Sequence, residues 1–206
     1  MPVDLAELIA PAHTALVTQE CQNGVIGEPA TLPQLAEAAR RHMIPNVARL
    51  ATAARKIGAY VVHCVAARRE DGRGSNTNAR LFMGMRKTPV PLLPGTSAVE
   101  VIPEIGVHES DVVLTRLHGL GPMGGTDLDA VLRNLGVTTV VGVGVSVNIG
   151  MVDFAFDAVN AGYQMVMPRD AVAGLPDDYV ESVLDHTLSL VATLPTTDDV
   201  LRAWNA

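Results

Sequence analysis

Two cysteines in 206 residues, Cys21 and Cys64, leave little room for a disulfide scaffold. Both fall in apolar stretches and form no CxxC pair, so a zinc cluster is equally foreign to the chain, and reduced thiols in a cytoplasmic protein are the expectation. Basic residues are in deficit: 15 Lys and Arg against 22 Asp and Glu give a net charge of −7. Such a surface repels a phosphate backbone or an anionic bilayer, which excludes general nucleic-acid and membrane binding but leaves room for a local basic pocket. No apolar run approaches the ~20 residues of a membrane span, and MPVDLAELIAPAH carries acids where a signal peptide carries basic residues. The six histidines show neither HExxH nor His-x-His spacing, so the sequence calls for no metal, and no other cofactor is expected.

What the chain has is core. A hydrophobic content of 48% with only 18% charged residues supports one domain over 1–206. Apolar runs of four to eight residues alternate with stretches of helical period, the pattern of a parallel sheet covered on both faces. Strands are read in ALVTQE (15–20), AYVVHCVA (59–66), DVVLTR (111–116), TTVVGVGV (138–145) and YQMVMP (163–168), with a weaker sixth in VATL (191–194). The expected fold is α/β, a three-layer α/β/α, Rossmann-like arrangement with a mainly parallel sheet of about six strands.

Helices are read between the strands. Thr126 and Asp129 have capping-box spacing before a stripe of Leu128, Val131, Leu132 and Leu135 that Gly136 ends. The stretch from Leu35 to Ile57 has helical period but must be kinked or divided at Pro45, and Gly58 stops it. A later helix begins near Pro176, with Asp177 and Asp178 at its positive end. Residues 67–94 fit neither period and are too long for a connector, which marks a binding loop or lid.

In an open parallel sheet, ligands bind beyond the carboxyl ends of the strands. Those ends offer Glu20, Gln22 and Asn23 after the first strand, His63 and Cys64 late in the second, Arg116 and His118 after the third, and SVNIG after the fourth. A carboxylate closing an apolar strand must be paired, protonated or exposed in a cleft. Glu20 and Arg116 are therefore either site residues or a structural ion pair capping the sheet. The helix starting near Asn148 directs its N-terminal N–H groups at the same crevice, whereas Gly142, Gly144 and Gly150 have a plain packing alternative. His118 lies in RLHGLGPMGG, either a mobile flap or a flexible surface loop. The G-V-G of the fourth strand fails as a dinucleotide fingerprint, because the third glycine of G-x-G-x-x-G would fall on Val147.

Taken in order, ALVTQECQNG, IPNVARLATAARKIGAYVVHC, LLPGTSAVEVIPEI, LTR, GTDLDAVLRNLGVTTVVGVGV and GVSVNIGMVDFAFDAVNAGY resemble the isochorismatase-like hydrolase superfamily over nearly the whole chain. The resemblance places the family's catalytic aspartate on Glu20, its lysine on Arg116 and its cysteine on Gly150. It implies a non-proline cis peptide between Val145 and Ser146, orienting oxyanion amides with the turn at Asn148. A substrate-binding role is expected for Gln22, Asn23, Arg80, His118, Val145, Ser146 and Asn148; a glutamine that isochorismatases place after the second strand matches Ala66. Without the cysteine the chain looks most like the glycine-bearing isochorismatase branch, which cleaves a vinyl ether and needs a proton donor more than a nucleophile. The implied function is hydrolysis of a small polar or carboxylated molecule with Glu20 as acid or base, in a homodimer or homotetramer. The alternative is a catalytically inactive descendant that binds a metabolite or a protein partner.

Overall fold

The apolar runs at 14–19, 60–66 and 139–145 are buried on both faces over most of their length, and the run at 112–116, which exposes alternate residues, lies beside them at the edge. The computed structural model describes residues 4–205. Strands β1 (Thr14–Gln19), β2 (Tyr60–Ala66), β3 (Val112–Arg116), β4 (Thr139–Val145) and β5 (Gln164–Val166) form a sheet of order β3-β2-β1-β4-β5, with β6 (Val172–Ala173) pairing beside the end of β4. Every pairing between these strands is parallel.

The helical segments are α1 (Leu5–Leu8), α2 (Asn23–Ile26), α3 (Pro33–Ala38), α4 (Ile44–Ile57), α5 (Arg80–Met85), α6 (Leu128–Asn134), α7 (Val152–Asn160), α8 (Asp177–His186) and α9 (Thr197–Ala203). Alternate strand residues divide between two cores, as the period of two requires. Leu16, Val61, Val65, Val141 and Val143 pack with Val47 and Leu50 of α4 and Val200 of α9. Ala15, Val17, Val62 and Val140 pack with Leu128 and Leu132 of α6, Phe154 of α7 and Leu184 of α8. Each of these large apolar side chains contributes ~1.5–3 kcal/mol through its removal from water. No described helix is long and apolar enough to cross a membrane.

Pro45 divides the helical stretch as its chemistry demands. It has no N–H for the preceding turn, and the chain widens there into a π-helical turn, Ala39–Met43, in which Ile44 N–H reaches back to the Ala39 carbonyl. α4 then runs to Gly58, which ends it at φ 77°.

Two expectations need correction. Residues 191–194 do not form a strand: Thr193 makes a single bridge to Val166, and the sixth strand is the two-residue Val172–Ala173 instead. The capping box at Thr126 does not close either. Thr126 Oγ1 accepts from Leu128 N–H at 3.1 Å, but the Asp129 carboxylate turns to Arg133 and to the Tyr163 hydroxyl, two side-chain donors that outcompete the helix end.

Candidate functional site

The carboxyl ends of β1, β3 and β4 open into a cavity of about 190 Å3 that Glu20, Arg116 and Gly150 all line. Glu20 leaves β1 at φ 53°, a left-handed conformation that non-glycine residues rarely adopt and that costs ~1–3 kcal/mol. The turn is pinned by Glu20 N–H donating to the Cys64 carbonyl at 2.8 Å. It brings the carboxylate onto Arg116 Nη2, the same nitrogen that donates to the Leu120 carbonyl at 3.0 Å. The Arg116 side chain is 6% exposed and that of Glu20 22%. Nε and Nη1 of Arg116 are buried and have no partner among the described residues. The guanidinium therefore has donors to spare.

The long irregular stretch 67–94 folds over this cavity. It supplies an apolar wall from Leu81, Phe82 and Met85 of α5 and from Leu92, together with Arg68, Arg86, Ser75 and Asn76. Neither Arg68 nor Arg86 has a carboxylate partner among the described residues. One carboxylate and three arginines thus line a chamber whose wall is otherwise largely apolar with a few neutral polar groups, a lining that suits an anion with an apolar body. The segment after β3 closes the opposite side, where Gly119 N–H donates to Asn76 Oδ1 at 2.9 Å and ties the two loops together.

His118 and Ser146 also line the cavity, and the Val145–Ser146 peptide bond is cis. The other residues singled out from the sequence lie outside its lining. Gln22 is buried with its amide spent on backbone: Nε2 donates to the Ala66 and Ala98 carbonyls, and Oε1 accepts from Ala66 N–H at 2.6 Å. Asn23 donates to the Ser97 carbonyl at 3.0 Å. Arg80 is exposed at the start of α5, while Arg68 and Arg86 provide the cavity's cations beside Arg116. Val145 is fully buried in the core, and Asn148 directs its Oδ1 toward Gly174, where an added methyl would lie 2.9 Å away.

The glycines of β4 and of the turn after it have distinct reasons. A methyl on Gly144 would stand 2.2 Å from the Gln19 carbonyl oxygen, so β4 needs a glycine to approach β1. At Gly150 the obstacle is a side chain: a methyl there would lie 2.0 Å from Gln19 Nε2. Neither cysteine replaces the missing nucleophile. Both are buried; burial, helped by the Glu20 charge, raises the Cys21 thiol to about 12, and burial raises Cys64 to about 12 against a small opposing effect of Arg116. Both thiols stay protonated at neutral pH. Among the described residues, no group of three or more His, Cys, Asp or Glu is arranged to hold a metal ion.

Sequence reasoning passed over Gln19, Arg68, Arg86 and the α5 wall. Gln19 carried a signal, a polar residue closing an apolar strand, but Glu20 beside it drew the attention. The loop residues carried none, since no period places them.

An uncharacterized isochorismatase family protein of Bacillus subtilis is 35% identical over 103 residues, half of this chain and 54% of that protein, so the match spans about half of the relative's length. A probable inactive nicotinamidase of Arabidopsis thaliana is 28% identical over 178 residues, 84% of this chain and 87% of that one. Among solved structures, an isochorismatase family protein from Burkholderia thailandensis superposes with a TM-score of 0.77 at 29% identity, covering 95% of this chain and 97% of the other. The isochorismatase domain model matches residues 14–199, a span that takes in all six strands, the cavity and its covering loop, and by that match the chain belongs to the isochorismatase family.

Proposed function

We propose that this protein hydrolyses a vinyl ether in a small carboxylated molecule with an apolar body, using Glu20 as general acid, Arg116 as electrostatic anchor and no covalent intermediate. The observation behind it is the absence of a side chain at Gly150 beside a carboxylate paired to a guanidinium with two unused donors. Covalent amide hydrolysis needs a nucleophile there; protonation of an enol ether needs only an acid.

Arg116 holds Glu20 as an ion pair. A substrate carboxylate taken up by the Arg116 guanidinium competes for it and frees the Glu20 carboxyl, which in its protonated form is the acid. That proton passes to the enol-ether carbon, the carbon–carbon π electrons form the new C–H bond, and positive charge settles on the adjacent carbon–oxygen unit. Water attacks that carbon and returns its proton to Glu20. The resulting hemiketal breaks into a carbonyl compound and an alcohol, with one water consumed and the acid restored. Arg68 and Arg86 add to the field that draws an anionic substrate in.

A panel of carboxylated vinyl ethers, amides and esters tests this with the wild type and Glu20→Gln. Turnover should fall on the vinyl ethers and drop ~10²–10⁴-fold in the variant. Turnover that ignores the substitution, or turnover of amides alone, rejects the mechanism. The relative from Arabidopsis thaliana, a probable inactive nicotinamidase, favours a second reading, a metabolite-binding descendant. Binding of carboxylated apolar ligands with no turnover across the panel would establish it.

A further inference from the structure

Gln19, the last residue of β1, is fully buried and lines the cavity, yet the mechanism above leaves it unused. Its amide lies over Gly150, where an added methyl would stand 2.0 Å from Nε2, 3.3 Å from Cδ and 3.2 Å from the Leu120 carbonyl oxygen. The room of the missing nucleophile is therefore occupied by an amide. Nε2 donates to the Leu120 carbonyl at 3.3 Å, and Arg116 donates to the same oxygen at 3.0 Å, so Gln19 is tethered to the group that holds Glu20. Its Oε1 is buried with no partner among the described residues. A side chain present only to fill space would be Leu or Met, of similar size and without an acceptor stripped of water. An acceptor left unpaired on an amide that fills the nucleophile's room points to a donor that arrives with the reaction.

We propose that Gln19 is a water-positioning residue: Nε2 fixes the amide on Leu120, and Oε1 accepts a hydrogen bond from the water that attacks the substrate carbon above Gly150. With one O–H held by Gln19, the water's lone pair is directed at the carbon, and the chamber delivers a water molecule in place of a nucleophilic side chain. The proposal rests on the non-covalent hydrolytic reading above.

Crystal structures of the full chain, wild type and Gln19→Leu, provide the first test. An ordered water about 3 Å from Gln19 Oε1 in the wild type, absent in the variant, is expected. Contact of Oε1 with carbon atoms alone, or with a main-chain N–H, overturns the proposal. The second test is kinetic, on whichever panel compound turns over. Gln19→Leu should lower kcat about 10²-fold with KM held within about twofold, a split that loss of packing alone does not produce. An unchanged kcat also overturns it. Gln19→Met replaces the leucine variant if that one does not fold. Failure of every panel compound to react would reject the vinyl-ether reading while leaving the crystallographic test of Gln19 intact.

Discussion

Two clusters of buried charge share one sheet and are finished differently. On the α4 side, Arg55 pairs with Asp111 through Nε at 3.2 Å and Nη2 at 2.7 Å, and reaches the Ile105 and Gly106 carbonyls with its remaining capacity. Asp111 also accepts from His108 N–H at 2.8 Å and from His63 Nε2 at 3.2 Å, while His63 Nδ1 meets the Thr18 hydroxyl at 2.9 Å. A neutral His63 satisfies both ends, donating to Asp111 and accepting from Thr18. At the carboxyl end of the sheet, Arg116 leaves two nitrogens bare and Gln19 leaves its oxygen bare. The first cluster closes on itself and holds β1, β2 and the entrance to β3 together. The second is short of partners in a chamber open to small molecules. Among buried polar groups, an unfilled valence is the better guide to function than charge itself.

The sharpest way to break the comparison is to open the closed cluster. Asp111→Ala strands Arg55 and removes the acceptor of His63, and should cost ~3–5 kcal/mol in denaturant unfolding. Acid should act in the same direction. Burial, more than its charged neighbours, pulls His63 below its usual value of 6.5. Asp111 is pushed up by burial, but Arg55, His108 N–H and His63 outweigh this and hold it below 3.8. Both groups bind their proton more weakly folded than unfolded. Their contribution is therefore complete above the unfolded values and is lost as pH falls, first below 6.5 through His63 and then below 3.8 through Asp111. An unfolding free energy flat from pH 7 to pH 3 would show that this cluster is not what holds the sheet.

The closed cluster was invisible in the sequence, because Thr18, His63 and Asp111 meet only once β1, β2 and β3 are in register. The open one was partly legible. Strand ends converge by topology, so Glu20, Arg116 and the SVNIG turn were nominated from position, the family resemblance grouped the first two with Gly150, and the three meet in one cavity. Gln19 was missed because its partner lies more than a hundred residues away. The parallel order followed from the alternation of apolar runs with helical stretches. The sixth strand failed for want of length: Val172–Ala173 is too short for any period, and the VATL run ahead of Pro195 mimics a strand but bridges at one residue.

A smaller effect tests whether Gln19 and Gly150 form a unit. Gly150→Ala puts a methyl on the Gln19 amide, the far end of a flexible side chain, which must swing off Leu120 and lose that hydrogen bond, at ~1 kcal/mol. Gln19→Ala combined with Gly150→Ala should recover most of that loss, leaving a coupling of ~1 kcal/mol in a double-mutant cycle. Additive effects would mean that the amide sits elsewhere.

The smallest change in stability should come from Arg116→Met, and its smallness is the point. A structural ion pair broken on one side leaves an uncompensated buried charge and is expensive. Here the variant also abolishes the desolvation of a guanidinium with two unpartnered nitrogens, and the Glu20 left behind, with 22% of its side chain exposed, can be rehydrated from the cavity. The two terms oppose, so unfolding free energy should stay within ~1 kcal/mol of wild type while binding of a carboxylated ligand is lost. A loss near that of Asp111→Ala would place Glu20 and Arg116 with the closed cluster, as a cap on the sheet. A stable protein that no longer binds would leave the pair's cost explained only by the anion it receives.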